Sequence, residues 1–217
     1  MMKKLLLLLI LSFSSLSGGE FYGLFIGDTE SFDIGDEVYM DLFWIKKELI
    51  KIGEDLDRPL NILDDQEIDH LECHSDDILF FYYSGHEEQL DRDLFDTVMK
   101  LHPQLLIVVI DCCNSPTDIE GINLPQYEET EQFYDSELIK ENTRQLFLHQ
   151  TGVILAYSAS PGEASWTSVL RGSEYTYALT QELRHELQTP NPSWERIFEK
   201  VASRLEGMQH PVYRISN

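Results

Sequence analysis

Residues 105–115 read LLIVVIDCCNS, and this stretch constrains the chain more than any other. Six apolar residues in a row, Leu105 to Ile110, stop abruptly at Asp111-Cys112-Cys113-Asn114-Ser115. A short continuous apolar run rich in β-branched residues reads as a strand covered on both faces. Open parallel sheets place their chemistry at the carboxyl ends of such strands. Two thiols, a carboxylate and two small polar side chains therefore arrive where a site is expected. The same letters also fit a plain core strand, with Cys112 as a small apolar filler and a polar turn behind it.

The layout recurs upstream. Asp77 to His86, DILFFYYSGH, is apolar from Ile78 to Tyr83 and ends in Ser84-Gly85-His86. Phe21–Gly27, Pro59–Leu63 and Gly152–Ser158 are further strand candidates. Helical spacing begins at Glu37, where Val38, Leu42, Ile45, Leu49 and Ile52 recur at three- and four-residue steps before Gly53. Asp93–Leu101, Tyr175–Leu187 and Ser193–Leu205 follow the same rule, Ser193 serving as a cap. Strands interleaved with helices predict an α/β fold around a mainly parallel sheet. Between residues 116 and 150 the periodicity lapses and acids accumulate, predicting an exposed acidic excursion. The tail Gln209 to Tyr213 should be extended, because residues before proline avoid the helical region.

The first 19 residues have the anatomy of a signal peptide. Lys3 and Lys4 precede an apolar stretch from Leu5 to Phe13, broken only by Ser12, and small residues follow to Gly19. The stretch is too short to span a bilayer, so export to a periplasm or the medium is expected, with residues 20–217 as one domain and no membrane span after the leader is removed. With 39 acidic against 16 basic residues, net −23, the chain repels phosphate backbones and anionic lipids. Nucleic acid is excluded as a partner, while basic peptides and divalent cations are favoured. Three cysteines, an odd number, leave at least one thiol unpaired. A bond between adjacent Cys112 and Cys113 would be strained, a Cys73 bridge stays open, and no spacing suggests a metal site.

His86 and Cys113 each end a strand candidate. A thiol becomes a strong nucleophile as the thiolate, and a nearby imidazole takes its proton. Neighbouring parallel strands about 5 Å apart would let the two converge over a carbonyl. The backbone amides of Glu87 and Cys113 are the candidate donors for the resulting oxyanion.

Taken together, YYSGH, DCCNS, YSASPGEAS and QHPVY resemble the caspase-like cysteine peptidases, closest to the metacaspase branch, in the right order from Phe21 to Tyr213. The resemblance implies a three-layer α/β sandwich. It implies that His86 is the catalytic histidine and that Cys113, not Cys112, is the nucleophile. It further implies that Asp111 and Glu163 are acids of the primary specificity pocket, hence cleavage of a polypeptide after Arg or Lys. The acidic excursion falls where the family joins its two subunits, which makes Lys140 and Arg144 candidate self-cleavage positions. No cofactor is expected, although related metacaspases depend on calcium. Three departures stand out: Glu87 and Pro116 replace family glycines, and His86 precedes Cys113 by fewer than the roughly 50 residues of the caspase signature. They define a second class of function, a catalytically inactive caspase-like module that binds a partner or a basic peptide.

Overall fold

The computed structural model describes residues 18–113, 135–168 and 170–216. In chain order the elements are β1 (Phe21–Gly27), α1 (Gly35–Asp55), β2 (Leu60–Leu63), β3 (Ile78–His86), α2 (Arg92–Val98), β4 (Leu105–Cys113), α3 (Ser136–Phe147), β5 (Gly152–Tyr157), the two-residue strands β6 (Thr167–Ser168) and β7 (Gly172–Ser173), α4 (Glu174–Glu186), α5 (Trp194–Arg204) and β8 (Val212–Ser216). The central sheet has six strands in the order β2-β1-β3-β4-β5-β8, all parallel except β8, which runs antiparallel to β5 at the edge. Among the described residues no helix is long and apolar enough to cross a membrane.

Both faces of the sheet are covered, as the apolar runs in β3 and β4 predict. Alternate residues enter different cores. Phe80, Tyr82, Leu105, Ile107 and Val109 pack against α1, α3, α4 and α5. Leu79, Phe81, Tyr83, Leu106, Val108, Ile110 and Cys112 pack on the opposite side, with Leu94 and Val98 of α2. This is the three-layer sandwich. Helix α1 buries Val38, Ile45, Leu49 and Ile52, the stripe read from the sequence. Side-chain caps fix the starts of the other helices: Asp91 for α2, Asp135 for α3, Ser173 for α4 and Ser193 for α5.

The excursion expected over 116–150 is shorter than the sequence suggests. Its last third is α3, whose buried face carries Ile139, Asn142, Thr143, Leu146 and Phe147. Two polar residues on that face hide the periodicity. Asn142 Nδ2 donates to the carbonyls of Leu187 and Thr189, at 2.8 and 2.9 Å, and Thr143 Oγ1 donates to that of Ile139. The extended tail proves to be an edge strand. The leader reading rests almost wholly on residues 1–17, which lie outside the described residues, as do Pro116 and the excursion up to residue 134.

An aromatic chain runs from β1 through α3 and α5 to β8. Phe21 of β1 meets Phe147 of α3, Phe147 meets Trp194, Trp194 stacks on Phe198 of α5, and Phe198 stacks on Tyr213 of β8, with centroids 4.9–6.0 Å apart.

Candidate active site

The strand order reverses at β1. From β1 the chain passes outward to β2, then returns to β3 on the other side and continues to β4 and β5. A crevice opens beyond the carboxyl ends of strands at such a switch point. Three chain segments leave the sheet there: the loop after β1, the end of β3 and the end of β4.

β3 and β4 are paired in register over their full length, so Ser84 faces Asp111, Gly85 faces Cys112 and His86 faces Cys113. Parallel neighbours lie about 5 Å apart. The histidine and the cysteine singled out from the sequence thus end adjacent strands as register partners. Cys112 is buried in the core beneath α2, and its amide receives Ser158 Oγ as acceptor at 3.2 Å. Cys73 is a free, half-buried thiol, pushed up to about 11 by burial first and by Asp77 second, so no bridge from it exists.

Gly85 has φ +148°, and a Cβ there would sit 2.7 Å from Asp28 Cβ and 3.0 Å from the Tyr83 hydroxyl. Tyr83 Oη donates to the His86 carbonyl at 2.5 Å, which fixes the backbone of the histidine. Gly85→Ala should therefore destabilise the fold by about 1–3 kcal/mol, measured by urea unfolding, because both conformation and space refuse the methyl. Glu87 behaves differently. The only described non-glycine residues with positive φ are Asp57 and Asn191. Glu87 opens a short 3₁₀ turn and extends its carboxylate to Arg92 Nη2 at 2.9 Å. A side chain at this position strains nothing.

The loop after β1 supplies partners for His86 that sequence reasoning missed. Nε2 lies 3.1 Å from Asp33 Oδ1 and 3.3 Å from Ser31 Oγ, and Ser31 Oγ donates to Asp33 Oδ1 at 2.5 Å. The hydrogen bonds from Ser31 and His86 pull the Asp33 carboxyl down to about 2. The acids of this loop were visible in the sequence, but only the position of β1 beside β3 brings them to His86.

Asp111 points into the helical layer and is 3% exposed. Ser165 Oγ donates to Oδ1 at 2.9 Å and Thr176 Oγ1 to Oδ2 at 2.7 Å. Because the threonine proton is committed to Asp111, the Tyr82 hydroxyl, 2.5 Å away, donates to Thr176 in turn. Asp41 of α1, 1% exposed, stands close enough for its charge to be felt. It accepts from Ser84 Oγ at 2.8 Å and from the Ser173 amide at 2.7 Å. Burial raises both carboxyls; for Asp41, held well above the ordinary range, the Asp111 charge is the second cause. Several other buried acids of the helical layer have arginines: Glu48 meets Arg184 Nε at 2.6 Å, Glu182 meets Arg204, and Glu186 meets Arg196 Nε at 2.7 Å. Asp41 and Asp111 form no ion pair among the described residues. The buried hydroxyl of Tyr175, whose ionisation is opposed by burial and by the Asp111 charge, also has no hydrogen-bond partner there.

Glu163 is not joined to Asp111. Its carboxylate accepts from the His210 amide at 3.0 Å and meets His210 Nδ1 at 2.7 Å, tying the loop after β5 to the tail. The acid that faces Asp111 is instead Asp41, from an element far away in sequence. Lys140 and Arg144 both lie within α3, and Arg144 Nη2 pairs with Asp57 Oδ2 at 2.8 Å. Strand-type recognition of a substrate needs extended backbone, so cleavage at either residue would require α3 to unwind. Among the described residues no group of three or more His, Cys, Asp or Glu is arranged to hold a metal ion.

Comparison with known proteins gives two findings. Residues 64–217 match the family model described as caspase domain. The fold is similar to the crystal structure of caspase-1 from Spodoptera frugiperda, with a TM-score of 0.52 and 16% identity, over 91% of this chain and 86% of that one. At that identity the structural likeness is one of fold. No curated protein matches the chain.

Proposed function

Because the chain belongs to the caspase family of cysteine peptidases, we propose that it is an endopeptidase in which His86 and Cys113 form the catalytic dyad. The observation that carries this reading is the register pairing of His86 with Cys113 at the open end of the sheet. In the proposed chemistry the Cys113 thiol gives its proton to His86, and the thiolate attacks the scissile carbonyl carbon, forming a carbon–sulfur bond and an oxyanion. The backbone amides of Glu87 and Cys113 are the donors for that oxyanion. Collapse breaks the carbon–nitrogen bond, and His86 returns the proton to the leaving amine. Water, deprotonated by His86, then hydrolyses the thioester and restores the thiol.

The specificity follows from Asp111 and Asp41, and the cleaved bond is the one after Arg or Lys. Two carboxylates buried together without a cation oppose each other's ionisation. A guanidinium or ammonium entering between them relieves that repulsion, and the unpartnered Tyr175 hydroxyl is a further group for it to meet. In this reading Asp41, rather than Glu163, is the second acid of the pocket. The same pair disfavours an acidic residue at the cleavage position.

The test uses the full chain and a peptidyl-arginine chloromethyl ketone, read by mass spectrometry. Modification is expected at Cys113 and should disappear in His86→Ala. Modification of Cys112 would overturn the choice of nucleophile. A folded protein that neither reacts nor cleaves would instead be an inactive caspase-like binding module.

A further inference from the structure

We infer that Asp33 is a positioning residue for His86, locking the imidazole in one tautomer through the Ser31–Asp33–His86 hydrogen-bond triangle. This rests on the dyad reading above for its catalytic consequence, though not for its geometry. The logic is one of donors and acceptors. An ionised carboxylate only accepts, so the proton between Asp33 Oδ1 and His86 Nε2, 3.1 Å apart, belongs to the ring. Ser31 has one hydroxyl proton, and it is committed to Asp33 Oδ1 at 2.5 Å. What Ser31 Oγ presents to Nε2 at 3.3 Å is therefore also a lone pair. With the Asp33 carboxylate accepting from both, the atoms that face Nε2 are acceptors and the ring nitrogen carries the hydrogen.

A neutral imidazole protonated at Nε2 has its lone pair on Nδ1. That is the nitrogen left to take a proton from the thiol of Cys113, the register partner of His86. When the proton arrives, the imidazolium forms next to a carboxylate already held in its ionised state, its carboxyl having been pulled down to about 2 by these same hydrogen bonds. The backbone of the histidine is fixed separately by Tyr83 and Gly85, so the loop after β1 governs the ring and β3 governs its attachment. This division gives the polar loop at residues 28–36 a purpose that a plain strand-to-helix connection would not have.

The test has two arms, both on the full chain. The first is nitrogen NMR of histidine-labelled Cys113→Ala protein, which cannot digest itself. With Asp33 intact, His86 should show a single neutral tautomer protonated at Nε2. In Asp33→Asn the amide can turn its NH₂ toward the ring, so the other tautomer should appear, and Asp33→Glu should restore the first at least in part. An unchanged tautomer in Asp33→Asn overturns the inference, whether or not the protein is a peptidase. The second arm is steady-state cleavage of a peptidyl-arginine substrate with Cys113 present. Asp33→Asn should lower kcat by about ten- to a hundredfold with KM little changed, and Asp33→Glu should recover part of it. A loss confined to KM, or equal losses in the Asn and Glu variants, also counts against it. If the tautomer shifts as expected while no variant, nor the parent, reacts at Cys113, the dyad reading fails and the positioning of His86 stands.

Discussion

Asp41→Asn should melt at a higher temperature than the parent protein and at the same time lose most of its cleavage after arginine. The amide is isosteric with the carboxylate. Its oxygen can still accept from the Ser173 amide, and its NH₂ can turn to Ser84 Oγ, so both hydrogen bonds survive. What disappears is a buried carboxyl whose ionisation is opposed by burial and by the Asp111 charge. Its folded-state carboxyl lies well above the unfolded value of about 3.9. The native state therefore keeps a proton that the unfolded chain releases, and the stability this group contributes is present below about pH 4 and lost as pH rises toward its folded value. The melting-temperature gap between variant and parent should accordingly widen from pH 4 to pH 8. A gap that is absent or shrinks over that range would show that Asp41 is not strained in the fold. Loss of one charged partner for the substrate guanidinium should lower kcat/KM by roughly ten- to a hundredfold, measured against a peptidyl-arginine substrate. Retained cleavage would move the specificity elsewhere.

Trp194→Ala should be strongly destabilising, at about 3–5 kcal/mol in equilibrium urea unfolding. The indole is buried, stacks on Phe198, meets Phe147 edge-on, and donates from Nε1 to the Leu146 carbonyl at 3.0 Å. Truncation removes the middle link of the aromatic chain and leaves that carbonyl at the C-terminal end of α3 without its donor. Trp194→Phe keeps the stacking and loses the hydrogen bond, so it should recover more than half of the deficit. Equal losses for Ala and Phe would mean that the hydrogen bond, not the packing, dominates.

The sheet was legible because its strands are buried on both sides. Ile78–Tyr83 and Leu105–Ile110 have no charged residue to confuse a helical with an extended reading, and β3 and β4 begin where the runs do. Helix α1 declared itself through Val38, Ile45, Leu49 and Ile52. Helix α3 did not, because Asn142 and Thr143 take buried positions that only backbone carbonyls elsewhere in the fold can satisfy. The site divided along the same line. His86 and Cys113 sit at strand ends and could be paired as soon as neighbouring strands were assumed. Asp33, Asp41 and Ser165 come from a loop, a helix and another loop, and their relation to the site depends on the strand order and on how α1 lies across it. Glu163 was chosen for its place in a motif. The structure gives it His210 instead, a partner whose proximity no local spacing reveals.

The aromatic chain also decides what a cut in the polypeptide would do. β4 ends at Cys113 and α3 begins at Ser136, so the backbone between them divides the described molecule into an amino-terminal and a carboxyl-terminal piece. Yet β5 of the second piece is hydrogen-bonded in register to β4 of the first from Leu105 to Ile110, and Phe147 of the second rests on Phe21 of the first. Hydrolysis of any bond in residues 114–134 would give two bands on a denaturing gel and a single peak on a native sizing column. Severed covalently, the protein would remain one particle.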